Sequence, residues 1–217
     1  MGAWLMGNVG LLFVGAVLFL NGVMLLGWVD AKSAVPLNLF VGALQVVTPT
    51  YLIFTAQGDQ DIILGASALY LFGFTYLYVA LNLAFDLDTT GCGFFCAFVV
   101  VCALVFSGLN FGRLHDTAFG VIWLNWAFLW LLFFLVLGLK QEALTRYTGA
   151  VCAVQGVVTG TIPAFMLLTG KWDQNNNLTA IVLAIFAVVV YIALFPMLRE
   201  RTTDDTTHAV PTGVVVE

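Results

Sequence analysis

Charge is what this sequence has least of. Only 9% of its 217 residues are Asp, Glu, Lys or Arg, against roughly 25% in a soluble domain. Hydrophobic residues make up 62%, and mean hydropathy is +1.04. That balance excludes a water-soluble globule and points to an integral membrane protein. Histidine is nearly missing as well. His115 falls in a polar connection and His208 in the C-terminal tail, so Ser–His catalysis or a histidine metal site within the apolar segments has no histidine to use. The four cysteines form no disulfide framework. Cys92 and Cys96 share a helix face at i, i+4, and without a nearby histidine they read as small packing residues rather than metal ligands. No catalytic residues, metal or cofactor are expected, and no nucleic-acid partner. The net charge of −5 arises from acids in loops and tail and says little about a partner.

Seven apolar runs are long enough to cross about 30 Å of hydrocarbon as helices: Val9–Gly27, Val35–Thr55, Ile62–Phe85, Gly91–Leu109, Ala118–Leu139, Thr148–Leu168 and Leu178–Leu198. They are continuous rather than alternating with a period of two, which argues against a β-barrel. The expected fold is an all-α integral membrane protein, a seven-transmembrane-helix bundle forming one domain over residues 1–201. A disordered tail is expected from Thr202 to Glu217. All twelve acids and all seven bases lie outside the runs. An external N-terminus puts Lys32, Lys140, Arg146, Arg199 and Arg201 in the cytoplasm and leaves only Arg113 and Lys171 outside, as the positive-inside rule favours. The C-terminus is then cytoplasmic. No basic n-region precedes the first run, which is therefore not read as a cleaved signal peptide.

An uncharged membrane interior constrains the chemistry, because ion-coupled transporters and voltage sensors hold ionisable residues there. The polar groups in the runs are neutral: Asn21, Asn38, Gln45, Thr48, Thr75, Asn82, Ser107, Asn125, Gln155, Thr159 and Thr161. Each can bridge two helices by a hydrogen bond, and together they also suit a passage for a neutral solute. Leu11, Val14 and Leu18 form one stripe; Phe72 with Tyr76, and Trp126 with Trp130, form i, i+4 pairs. Such stripes ordinarily belong to a helical core or a lipid-facing surface, and a pore lining is the other reading. Gly149, Ala153, Gly156 and Gly160 let a neighbouring helix approach the sixth run closely. Pro36, Pro49 and Pro163 are expected to start or kink helices. An Asn-Pro-Ala pair, a lysine in the seventh run and a Thr-Val-Gly-Tyr-Gly filter are all missing. These absences exclude an aquaporin-like pore, a retinal Schiff base there and a potassium filter.

Five stretches carry a family resemblance: GLLFVGAVLFLNG (10–22), VDAKSAVPLNLFVGAL (29–44), LFGFTYLYVALN (71–82), IWLNWAFLWL (122–131) and QGVVTGTIPAF (155–165). With these segments the chain resembles the UreI/AmiS family of bacterial acid-activated urea channels and amidase-linked short-chain amide transporters. The resemblance implies a passive channel in the bacterial inner membrane, a homohexameric ring around a lipid-filled centre, and urea or short-chain amides as the solute. It also implies two constrictions, one at Val14, Leu18, Trp126 and Leu129, the other at Leu11, Phe72, Tyr76 and Trp130. Gln155 stands where the acid-activated channels have a glutamate, and the short connection TAQGDQD (55–61) has no histidine. Acid gating thereby loses its titrating groups, and the seventh run points to the amide-transporter branch. The expectation is a facilitator for urea and short-chain aliphatic amides that is not acid-gated. The alternatives are an amide channel gated by loops or tail, and a seven-helix receptor without transport.

Overall fold

The computed structural model describes residues 2–173 and 177–198, all of whose regular structure is helical. α1 spans Gly2–Leu25, α2 Val35–Thr55, α3 Gln60–Phe85, α4 Thr90–Gly112 and α5 Thr117–Phe133. A π turn, Phe134–Gly138, continues α5. The sixth span consists of α6 (Thr145–Gln155), a π turn (Gly156–Thr161) and α7 (Ile162–Leu168), and α8 covers Asn177–Leu198. These elements give seven segments of spanning length and apolarity, within a few residues of those expected at most ends. The largest differences are at α1, which begins earlier and stops at Leu25, and at the sixth span, which begins at Glu142. Gly27 has φ +83°, with Trp28 N bonding Val23 O and Gly27 N bonding Met24 O, so a Schellman turn ends α1 early. The tail expected to be disordered, Thr202–Glu217, lies outside the described residues.

The first six spans pack as a closed ring in chain order, with α2 along α3, α4 along α5 and α1 along the sixth span as the broadest contacts. α8 lies outside the ring against α5 and α6. Charges gather at the two ends. Lys32 meets Asp86 at 3.1 Å and Lys140 meets Asp88 at 3.2 Å at one end, while Arg113 meets Asp61 at 2.7 Å at the other. These pairs are half-exposed or more, so each contributes little stability, but they fix which loops share a side. The Thr90 side chain and amide and the Lys140 ammonium hold Asp88 down to about 2.

Small residues and helix irregularities bring backbones together. A methyl on Gly156 would stand 2.6 Å from Gly15 O, and one on Gly160 would stand 2.7 Å from Gly15 Cα. α1 and the sixth span therefore touch backbone to backbone. The Thr161 hydroxyl donates to Gly156 O at 3.1 Å within the π turn, and Pro163, near the start of α7, gives no N–H back to that turn. Pro49 lies inside α2 and cannot donate to Gln45 O. Gly73 of α3 closes onto that carbonyl, where an added methyl would sit 2.9 Å away.

Candidate functional site

A cavity lies inside the ring between α1, α3, α4 and α5. α1 supplies Leu18 and Asn21; α3 supplies Phe72, Thr75, Tyr76 and Val79; α4 supplies Cys96; α5 and its π turn supply Trp126, Leu129, Trp130, Phe133 and Leu137. α3 and α5 arrive with residues three and four apart, because that spacing keeps side chains on one face. The space open to the centres of water-sized molecules is about 30 Å³, enough for one or two waters. A larger solute passes only if side chains part.

Phe72 is the hub of the wall. Its ring centroid lies 4.9 Å from Trp126 at 82°, 4.8 Å from Trp130 at 55°, 5.9 Å from Trp123 and 6.4 Å from Tyr76. Trp123, the first of the three tryptophans of α5, backs the wall instead of facing the cavity. It stacks on Phe106 at 4.9 Å and 21°, and meets Trp126 nearly perpendicularly. Edge-to-face packing of this kind fixes ring planes, so Phe72 and Trp126 hold each other's orientation in the aromatic wall.

Donors on the wall fall into two groups. Trp126 Nε1 donates to Thr159 Oγ1 at 3.0 Å, and Thr159 donates onward to Gln155 O at 2.7 Å. The Trp130 N–H and the Tyr76 hydroxyl have no hydrogen-bond partner among the described residues, which leaves both for a solute. Asn21 and Asn38 form a reciprocal amide pair, at 2.9 and 2.7 Å, and Asn38 also donates to Ala34 O at 3.0 Å. Asn21 thus shows the cavity only the edge that its partner leaves free.

Six residues expected to lie along a passage, Leu18, Phe72, Tyr76, Trp126, Leu129 and Trp130, meet at this cavity. Leu11 and Val14 belong to the same buried cluster without forming its wall. Gln155 sits behind the wall, fully buried, donating from Nε2 to Asn125 O at 2.8 Å. Asn21 and Thr75 belong to the neutral polar groups that suit a passage, whereas Val79, Phe133 and Leu137 are not among the expected passage residues; Val79 follows Tyr76 by three, Phe133 follows Trp130 by three and Leu137 follows Phe133 by four. Cys96 reads from the sequence as a packing residue on one face with Cys92, and the structure places it on the cavity wall. Among the described residues no group of three His, Cys, Asp or Glu side chains comes together as a metal site.

At the Arg113 end, Asp116 caps α5 by accepting from Phe119 N at 2.9 Å, and it accepts from Trp172 Nε1 at 2.9 Å. Trp172 packs on Phe119, which packs on Trp126. Burial raises the Asp116 pKa above the ordinary carboxylate value, against the two hydrogen bonds. The folded protein therefore holds a proton on Asp116 more readily than the unfolded chain, so this group favours folding at low pH and that contribution fades as pH rises through the raised pKa. Asp116→Asn removes the titration but keeps only one acceptor oxygen, enough for the Phe119 N cap and not for Trp172 Nε1 as well. The melting temperature of the wild type relative to this variant is expected to be higher in acid than at pH 7, the gap narrowing as pH rises through the raised pKa; a difference that is flat or falls with acid overturns the assignment.

Comparison with known proteins gives a consistent picture. Residues 6–171 match the model of a family described as AmiS/UreI family transporter. A Mycolicibacterium smegmatis protein named as a transporter of amidate substrates is 46% identical over 209 residues, covering 96% of this chain and 98% of that one. The Rhodococcus erythropolis transporter protein AmiS2 is 54% identical over 175 residues, covering 81% and 85%. The crystal structure of the Helicobacter pylori urea channel superposes with a TM-score of 0.70 at 31% identity, covering 76% of this chain and 99% of that one.

Proposed function

The chain belongs to the AmiS/UreI family of transporters, and from that premise we propose that it is a passive channel for urea and short-chain aliphatic amides, open without acid activation. The protein is a multi-pass membrane transporter and not an enzyme. The observation that carries the reading is the cavity: an uncharged, flat-sided slot in which Trp130 N–H and Tyr76 O–H are unclaimed. Urea and small amides are planar, neutral and rich in matching donors and acceptors. A slot between aromatic faces admits such a plane, and with no charge to replace lost water it makes ion entry costly.

In this reading the solute path runs along Leu11, Val14, Leu18, Phe72, Tyr76, Trp126, Leu129 and Trp130, with Gln155 supporting the wall from behind. The basic residues support an external N-terminus and cytoplasmic C-terminus. A bacterial inner-membrane location and a homohexamer rest on the family alone. The lack of acid gating is supported by the polar but non-ionisable Gln155 and by the histidine-free connection over residues 55–61.

Stopped-flow uptake into proteoliposomes tests this. Urea and acetamide are expected to enter rapidly and glycerol slowly, with the same rates at pH 7.5 and pH 5. Uptake confined to pH 5 would overturn the ungated reading, and binding without flux would make the protein a receptor.

A further inference from the structure

α8 is the span least enclosed by the rest of the molecule, yet it makes a specific connection to the wall of the cavity. Ile181, Val182, Ile185, Val188, Val189 and Ile192 are all more than half exposed. Only a narrow stripe, Ala180, Leu183 and Ala187 followed by Tyr191, turns inward at helical spacing. At the end of that stripe the Tyr191 hydroxyl donates to Asn125 Oδ1 at 2.7 Å, and its ring stacks on Phe128 at 5.1 Å and 17°. Tyr147 of α6 donates to the backbone carbonyl of Tyr191 at 3.1 Å.

These bonds close a polar bracket over three spans. Asn125 joins α8 through its side-chain oxygen and joins Gln155 through its backbone carbonyl. Gln155 O receives the Thr159 hydroxyl, and that hydroxyl receives Trp126 N–H. Trp126 is the residue after Asn125 and faces the cavity. The hold that sets its ring plane therefore reaches from the slot to α8. Without Tyr191, Asn125 Oδ1 would lose its donor at membrane depth, where no water substitutes. The bracket also includes the π turn that carries Thr159, the kind of helix irregularity found at functional sites.

The family match ends at residue 171, before α8 begins. The alignment with the Mycolicibacterium relative leaves too few residues outside to omit this 22-residue helix. α8 is thus an addition to the family core that a transporter of amidate substrates also carries.

We propose that α8 is a brace for the slot and that Tyr191 is a positioning residue for solute selection, acting through Asn125 on Trp126. The inference rests on the channel reading above. If it holds, loosening the bracket lets the slot pass non-planar solutes more readily, so discrimination changes rather than total flux alone.

The test is a set of full-length variants in proteoliposomes, read as the ratio of acetamide to glycerol permeability. Tyr191→Phe keeps the stacked ring and removes the donor. Its ratio is expected to fall about threefold, the equivalent of one interhelical hydrogen bond of ordinary membrane strength. Ile192→Ala, on the lipid-facing side, is expected to leave the ratio unchanged. Tyr147→Phe releases the other bracket bond and is expected to act in the same direction, so the test survives if Tyr191→Phe fails to assemble. Asn125→Leu and the Asn125→Leu/Tyr191→Phe pair should give the same ratio, because the Tyr191–Asn125 bond is already lost in the single variant and the Asn125 Nδ2 bond to Val121 O is lost in both. A ratio that stays at the wild-type value in assembled Tyr191→Phe and Tyr147→Phe, or additive effects in the double variant, overturns the brace. Wild-type protein that conducts no amide overturns the channel reading instead.

Discussion

Phe72→Ala is expected to be the most damaging single truncation in the wall. The ring touches Tyr76, Trp123, Trp126 and Trp130, and its removal leaves a void that these packed rings fill only in part. Truncations of this size cost about 3–5 kcal/mol of stability. The transport consequence follows from the same geometry. Phe72 supplies one side of the slot, and its loss joins the cavity to the space beside Trp123. The preference for acetamide over glycerol is expected to fall by on the order of tenfold, the scale on which an apolar wall discriminates for each group removed. Stopped-flow uptake by assembled variant protein, with the melting temperature measured alongside, checks both effects. Phe72→Leu serves where alanine does not assemble, and it should show the same change to a smaller degree. Unaltered selectivity in either assembled variant would place the passage elsewhere in the ring.

The spans were readable because lipid imposes one rule on every backbone group: it must be satisfied within its own segment, and a continuous apolar run can do that only as a helix. The stripes at Phe72 and Tyr76 and at Trp126 and Trp130 were readable from helical spacing, although their facing direction was not. The same spacing serves a core, a lipid face or a lumen, and only the neighbouring helices decide. The two π turns left no periodic signal. Each rotates the following side chains relative to an ideal helix, and the turn over Gly156–Thr161 is what places Thr159 beneath Trp126 N–H. Gln155 shows the limit of position-by-position transfer. Its place in the sequence was readable, whereas its direction, away from the cavity and onto Asn125 O, depends on how α6 meets α5. Tyr191 gave no signal of its own, since one tyrosine within the inner half of an apolar helix reads as an ordinary helix-packing residue.

Gly156→Leu is expected to abolish transport by moving a helix rather than by touching solute. The first added carbon already lies 2.6 Å from Gly15 O, 2.7 Å from Phe19 N and 3.0 Å from Leu18 Cβ. Two of these are backbone atoms and cannot rotate aside, so α1 must move as a unit. Leu18 and Asn21, the two side chains that α1 gives to the cavity wall, move with it. Overpacking of this kind costs about 1–3 kcal/mol and occasionally more. Helix propensity works the other way, because replacing glycine in a helix gains up to ~1 kcal/mol. Gly108 provides the contrast. It lies in α4 with no atom within 4 Å of an added methyl, so Gly108→Ala is expected to leave flux unchanged and stability equal or slightly raised. Melting temperature and acetamide uptake measured on both variants separate the two effects. Equal behaviour of the pair would mean that α1 and the sixth span do not meet backbone to backbone. A loss confined to Gly156→Leu ties the width of the slot to the backbone contact between α1 and the sixth span.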